Sequence, residues 1–123
     1  MKISSAKDLE VYKKSYLLAM EIFELSKGFR VEERYALTCQ IRRSSRSIGA
    51  NIAESWAKRR YPAHFKSKLT DADGELQETQ HWLDTAKACG YVKESECADL
   101  LSLAESAGKQ LGSMINQHES FCF

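Results

Sequence analysis

Residues 40–55 read QIRRSSRSIGANIAES, and the spacing of this stretch decides the fold. With Leu37 just upstream, Ile41, Ile48 and Ile52 recur at helical intervals, so the segment is expected to be a helix with one buried stripe. Arg42, Arg43 and Arg46 ride beside that stripe. Ser44, Ser45, Ser47, Gly49, Ala50 and Ala53 have almost no side chain to hold other helices away, which permits close packing on more than one side. The stretch implies a tightly packed helical assembly with a basic ridge and contains no catalytic constellation.

Working outward, the single proline, Pro62, divides the chain. Periodicity and punctuation predict four helices, at about Lys7 to Lys27, Glu32 to Arg60, Ala63 to Ala88 and Glu94 to Gln117. Gly28 and Gly90 are expected to close the first and third with left-handed caps. Pro62 suits a first helical turn, where its missing N–H costs nothing. Short connections force antiparallel neighbours, so residues 1–123 are expected to form one all-α domain, an up-down-up-down four-helix bundle. On the third helix Phe65, Leu69, Ala72, Leu76, Thr79, Leu83 and Ala86 step by four and three along one seam. Leu100, Leu103, Ala107, Leu111 and Met114 repeat the pattern on the last.

The first helix carries two apolar stripes. At about 100° per residue, Leu9, Tyr12, Tyr16, Met20 and Phe23 share one arc, and Val11, Leu18, Ile22 and Leu25 cluster on nearly the opposite side. One stripe fills the bundle and the other would be left in water, which a soluble monomer rarely tolerates. The first arc is assigned here to the core, and Val11, Leu18, Ile22 and Leu25 to the interface of a homo-oligomer. The alternative is a first helix placed centrally in a compact monomer.

Composition fits an ordinary globular domain, with 43% hydrophobic and 28% charged residues. No apolar run approaches a membrane span, and Met1 to Glu10 lacks the apolar core of a signal peptide, so no membrane association and a cytoplasmic location are expected. The net charge of +1 hides an asymmetry: residues 1–60 carry 13 basic and 7 acidic groups, +6, and residues 61–123 carry 5 and 10, −5. Either basic helices pair with acidic ones inside the bundle, or a basic face awaits an anionic partner. Cys39, Cys89, Cys97 and Cys122 show no CxxC spacing, and His64, His81 and His118 no HxxxH pair. A zinc site from His81, Cys89 and Cys97 is disfavoured against separate reduced thiols, and no cofactor is expected.

Asn51 and Glu54 lie one turn apart, with Gln40 and Ser47 toward the same side. Buried polar groups must be hydrogen-bonded, so Gln40, Asn51 and Glu54 are expected to fix the register of helices or subunits. Arg42 and Arg46 share one helix edge. Their expected partners are Asp71, Glu75 and Glu78 on the third helix, with phosphate binding as the competing reading. The segment Lys58, Arg59, Arg60 and Tyr61, with Trp56 before it, combines cations and rings as single-strand binders do, although a solvated connection has the same composition. A glycine-rich phosphate loop, a nucleophile–base pair and metal spacing are all missing, so no enzyme is expected. What remains is a scaffold acting on another protein or on itself, or a weak, sequence-independent binder of RNA or DNA.

Glu33-Arg34-Tyr35-Ala36-Leu37-Thr38, Gln40-Ile41-Arg42-Arg43, Ser47-Ile48 and Asn51-Ile52-Ala53-Glu54 resemble the signature of the bacterial four-helix-bundle family first known from intervening sequences in 23S rRNA genes. Gly74-Glu75-Leu76-Gln77-Glu78-Thr79 and Cys89-Gly90-Tyr91 fit the same pattern, so the resemblance covers roughly residues 8–115. The accessory protein of diversity-generating retroelements looks like a relative. The resemblance implies a four-helix protomer assembled as a ring-shaped homopentamer, and it does not imply an enzyme. The retroelement relatives are strongly basic and bind nucleic acid. This chain departs from them in its net charge, and Glu54 is followed by Ser55-Trp56-Ala57-Lys58 instead of the family's glycine-containing EGxGR ending.

Overall fold

The computed structural model describes residues 3–123. Four long helices dominate it: α1 (Glu10–Ser26), α2 (Cys39–Trp56), α3 (Pro62–Ala88) and α4 (Glu94–Asn116). Each packs on its neighbours in cyclic order, α1 on α2 and α4, and α3 on the same two. This is the all-α four-helix bundle expected from the sequence, with no strand among the described residues.

The helix ends follow from local chemistry. Pro62 occupies the first turn of α3. At its other end Gly90 takes φ 81°, and the Tyr91 N–H reaches back to the Ala86 carbonyl at 3.0 Å, closing the left-handed cap. Gly28 does not act this way: among the described residues Gly90 alone has positive φ, and the Gly28 N–H simply closes a tight turn onto the Leu25 carbonyl at 3.2 Å. Two starts differ from the uninterrupted helices expected. Ala6–Asp8 forms a separate 3-10 turn, with the Ser4 and Ser5 N–H groups bound to the Asp8 carboxylate and Leu9 extended before α1. Ahead of α2, Val31–Glu33 is 3-10 and Arg34–Thr38 is π-helical.

The seams of α2 and α3 lie where periodicity put them. Leu37, Ile41, Ile48 and Ile52 are buried, as are all seven expected residues of α3. On α4 the inner face is rotated slightly: Leu100, Ala107, Leu111 and Met114 are buried, but Cys97 and Ala104 take inner places and Leu103 is only half-buried.

The two stripes of α1 are exchanged. Val11, Leu18 and Ile22 are buried in the core and Leu25 packs against it, so this stripe is not an oligomer interface. The outer face instead carries Tyr16 and Met20, 57% and 43% exposed, with Tyr12 and Phe23 half-buried along its edge and only Leu9 of that arc buried. Aliphatic side chains fill an interior without a polar atom to satisfy, whereas a tyrosine hydroxyl keeps its water on the outside. Ser15, Ala19 and Ser26 widen the inner face toward α2. A charge introduced at Ile22 would therefore break the protomer.

Ile22 is fully buried and Val31 is 86% exposed. In denaturant titrations at one protein concentration, Ile22→Ala is expected to cost about 2–5 kcal/mol, as truncation in a packed core does. Val31→Ala should stay within about 0.5 kcal/mol.

Candidate functional site

No single cleft gathers the candidate residues. They lie on distinct surfaces of the bundle, beginning with the α2–α3 boundary. Arg43, rather than Arg42 or Arg46, meets the acidic row there: its guanidinium lies 3.2 Å from the Glu75 carboxylate and also binds Glu78. The Glu78 carboxylate accepts the Trp82 indole N–H at 3.0 Å as well. Trp82 and then Arg43 hold the Glu78 carboxyl below the usual carboxylate range, and Glu78 in turn raises the Arg43 guanidinium. Asp71 is exposed and forms no ion pair among the described residues.

Arg42 and Arg46 do share an edge, but it faces α1. Their guanidinium carbons sit 5.0 and 5.5 Å from the centre of the Phe23 ring, and Arg42 Nε donates to Ser26 Oγ at 2.7 Å. One residue of helix turns a side chain by about 100°, enough to send Arg43 to α3 and its neighbour to α1. Asp71, Glu75 and Glu78 are thus not the partners of Arg42 and Arg46.

The proposed polar register set is also rearranged. Glu54 is exposed and pairs with Lys68 of α3 at 2.8 Å, which lowers its carboxyl and raises the lysine. Asn51 is half-buried and returns its amide to the Ser47 carbonyl of its own helix at 2.8 Å. Gln40 is half-buried, with no hydrogen bond to another helix among the described residues. A buried hydrogen bond between side chains instead joins Ser44 of α2 to Thr79 of α3, their hydroxyls 2.9 Å apart. Its signal in the sequence was a serine on the apolar seam of α2 opposite a threonine on that of α3.

In the basic connection, Trp56 packs against the core and meets Phe121 edge-on at 6.3 Å. Arg59 covers the indole at 3.8 Å, donates to the Trp56 carbonyl at 2.9 Å and also lies over Phe123. The Trp56 N–H is buried without a partner. Neither Trp56 nor Arg59 is thus presented to a ligand. Lys58 is half-buried, Arg60 and Tyr61 are exposed, and the Tyr61 ring lies 5.7 Å from that of His64.

Two grooves flank the exposed face of α1. A groove of about 580 Å³ between α1 and α4 has Leu25 and Leu100 in its walls and Glu21, Glu24, Glu96 and Asp99 around it. A second, of about 360 Å³ between α1 and α2, is lined by Tyr12, Tyr16, Arg46 and the small residues Gly49, Ala50 and Ala53. Met20 borders both. At one end of the bundle the Tyr91 hydroxyl donates to Glu33 at 2.8 Å, which pushes its pKa up to about 12 and joins the α3–α4 turn to the approach of α2. Among the described residues no three or more His, Cys, Asp or Glu side chains are placed to hold a metal ion.

A sequence model of the family described as 23S rRNA-intervening sequence protein matches residues 7–113. The chain belongs to that family. Among solved structures, a crystal structure of a protein of unknown function from the S23 ribosomal protein family of Bacteroides thetaiotaomicron is similar to it. The two are 31% identical with a TM-score of 0.77, over 86% of this chain and 95% of the other. Comparison with curated proteins found no match. No helix among the described residues is long and apolar enough to cross a membrane.

Glu78 links the α2–α3 ion pair to Trp82, so its protonation is expected to matter. Its folded pKa is depressed, so its contribution is present above the unfolded pKa and lost as pH falls through the folded one. Glu78→Gln should remove that part of the acid dependence of the melting temperature. At pH 7 the cost should be no more than about 1 kcal/mol, because the pair is partly exposed.

Proposed function

We propose that this protein is a non-enzymatic scaffold of the cytoplasm that works by associating with copies of itself, as a ring-shaped homopentamer, and presenting the assembled surface to another protein. The observation that carries the reading is the outer face of α1, where Tyr16, Leu17 and Met20 are each 43% or more exposed. They run as a continuous apolar ridge between two grooves. Exposed apolar ridges of this kind mark contact surfaces, and tyrosine and methionine suit them because they offer large area with a polar or adaptable tip. The pentamer follows from the resemblance to the intervening-sequence family.

Light scattering coupled to size exclusion tests the reading. Wild-type protein at micromolar concentration should run at five times the chain mass of 14.0 kDa. Tyr16→Glu combined with Met20→Glu should reduce it to the single-chain mass with unchanged helical circular dichroism. A wild-type mass equal to one chain would end the proposal.

A second reading, weak nucleic-acid binding, is favoured by one feature: exposed Arg60 and Tyr61 beside His64 and exposed Lys66 at the start of α3. A ring would repeat this corner once per copy, adding several weak phosphate contacts. Arg60→Ala with Lys66→Ala should then remove most low-salt binding to a single-stranded oligonucleotide in a fluorescence-anisotropy titration. Arg59→Ala should mainly lower the melting temperature, since that side chain is spent on Trp56. Binding that survives the loss of Arg60 and Lys66 would place the contact elsewhere.

A further inference from the structure

We propose that the two grooves beside α1 are the two halves of one head-to-tail contact, the acid-rimmed α1–α4 groove of one copy receiving the basic α1–α2 face of the next. This rests on the self-association proposed above and specifies its geometry.

The charges carry the argument. Glu21, Glu24, Glu96 and Asp99 surround the α1–α4 groove. Glu24 is paired with Lys27, and Glu96 accepts the Lys93 backbone N–H, but Glu21 and Asp99 have no cation within ion-pair distance among the described residues. Across the ridge the sign reverses. Arg46 lines the α1–α2 groove, and Arg42 stands beside it over Phe23. Lys7 and Lys13 border an adjoining depression that shares Tyr12 and Tyr16 with that groove. Lys13 is tied to Glu10 at 3.5 Å, whereas Arg46 and Lys7 have no carboxylate partner among the described residues.

A two-fold contact with its axis across α1 would set each groove against its own copy and bring like charges together at short range, which disfavours that pairing, and one with its axis along α1 would stop at two copies, short of the ring proposed above. Crosswise docking brings carboxylates to guanidinium and ammonium groups and covers the same apolar ridge. Shape agrees with charge. Gly49, Ala50 and Ala53 leave the α2 wall of the basic groove low, open to the side chains of a neighbour, while Leu25 and Leu100 give the acidic groove an apolar floor under a charged rim.

The placement of the grooves also constrains the assembly. Both flank one helix of a four-helix bundle, on adjacent sides instead of opposite ones. A heterologous contact between opposite faces propagates as a filament, but one between adjacent faces turns at each copy and can close. The ridge of α1 then lies at the inner corner, between a copy's two neighbours.

Charge reversal tests the pairing, because the groups chosen are exposed and can be changed with the fold intact. The acid-groove variant is Glu21→Arg with Asp99→Arg, and the basic-face variant is Lys13→Glu with Arg46→Glu. Each alone should run at the single-chain mass in light scattering, with wild-type circular dichroism. Mixing the two should regain higher-mass species, and one chain carrying all four changes should assemble like the wild type. If helicity falls in either pair, Asp99→Arg and Arg46→Glu singly replace them in the same comparison. Variants that keep the wild-type mass overturn the crosswise contact and leave self-association standing, as does a mixture that stays at the single-chain mass. A wild-type protein that is itself a single chain overturns both.

Discussion

Close approach of α2 and α3 is the constraint on which the rest of the molecule depends. Ile41, Ile48 and Ile52 are wholly buried, and the space between them is occupied by serines, so that hydroxyls stand where larger side chains would hold the helices apart. Those hydroxyls are satisfied in place. Ser44 joins Thr79 across the boundary, and Ser45 and Ser55 bond to the Arg42 and Ile52 carbonyls of their own helix. A hydroxyl buried without such a partner would cost far more than the contact gains, so the seam tolerates serine because a carbonyl of the preceding turn accepts its proton. Once α2 is seated, its other positions have no choice of direction. Arg43 must meet α3, and Arg42 and Arg46 must lie along α1.

The legibility of the sequence varies with how many apolar arcs a helix carries. On α3 one arc from Phe65 to Ala86 is apolar and the rest is not, so the inner face could be read directly. On α1 two arcs compete, and periodicity alone does not rank a tyrosine–methionine stripe against one of valine, leucine and isoleucine. What separates them is the phenol oxygen and the small residues Ser15, Ala19 and Ser26 on the flank of the aliphatic stripe, which bring α2 close.

The candidate site was legible at the level of segments and misread at the level of single side chains. That the acidic row Glu75 and Glu78 faces α2 could be seen from its position beside the α3 seam, but the partner turned out to be Arg43, about 100° around α2 from Arg42, because periodicity does not say which flank of a buried stripe meets which neighbouring helix. Trp56 shows the opposite limit. Its neighbours Lys58, Arg59 and Arg60 suggest an exposed corner, but Trp56 is half-buried, under Arg59 and against Phe121, the latter 65 residues further along the chain. Nothing local encodes that contact. The grooves beside α1 were likewise invisible, since each needs two helices and Glu21 and Asp99 are brought to one groove only by the bundle.

The two tryptophans sit in unlike surroundings, and this gives the protein a pair of internal optical probes. The Trp82 indole is hydrogen-bonded to the carboxylate that also binds Arg43, so its emission reports on the charge of Glu78 and the union of α2 with α3. Trp56 lies between a guanidinium and Phe121, with its N–H unmatched, and reports on the closure of the C-terminal turn over the end of the bundle. Replacing either indole by phenylalanine isolates the other's signal. Loosening of the helix pair and lifting of the C-terminal turn then become separately visible in one fluorescence experiment.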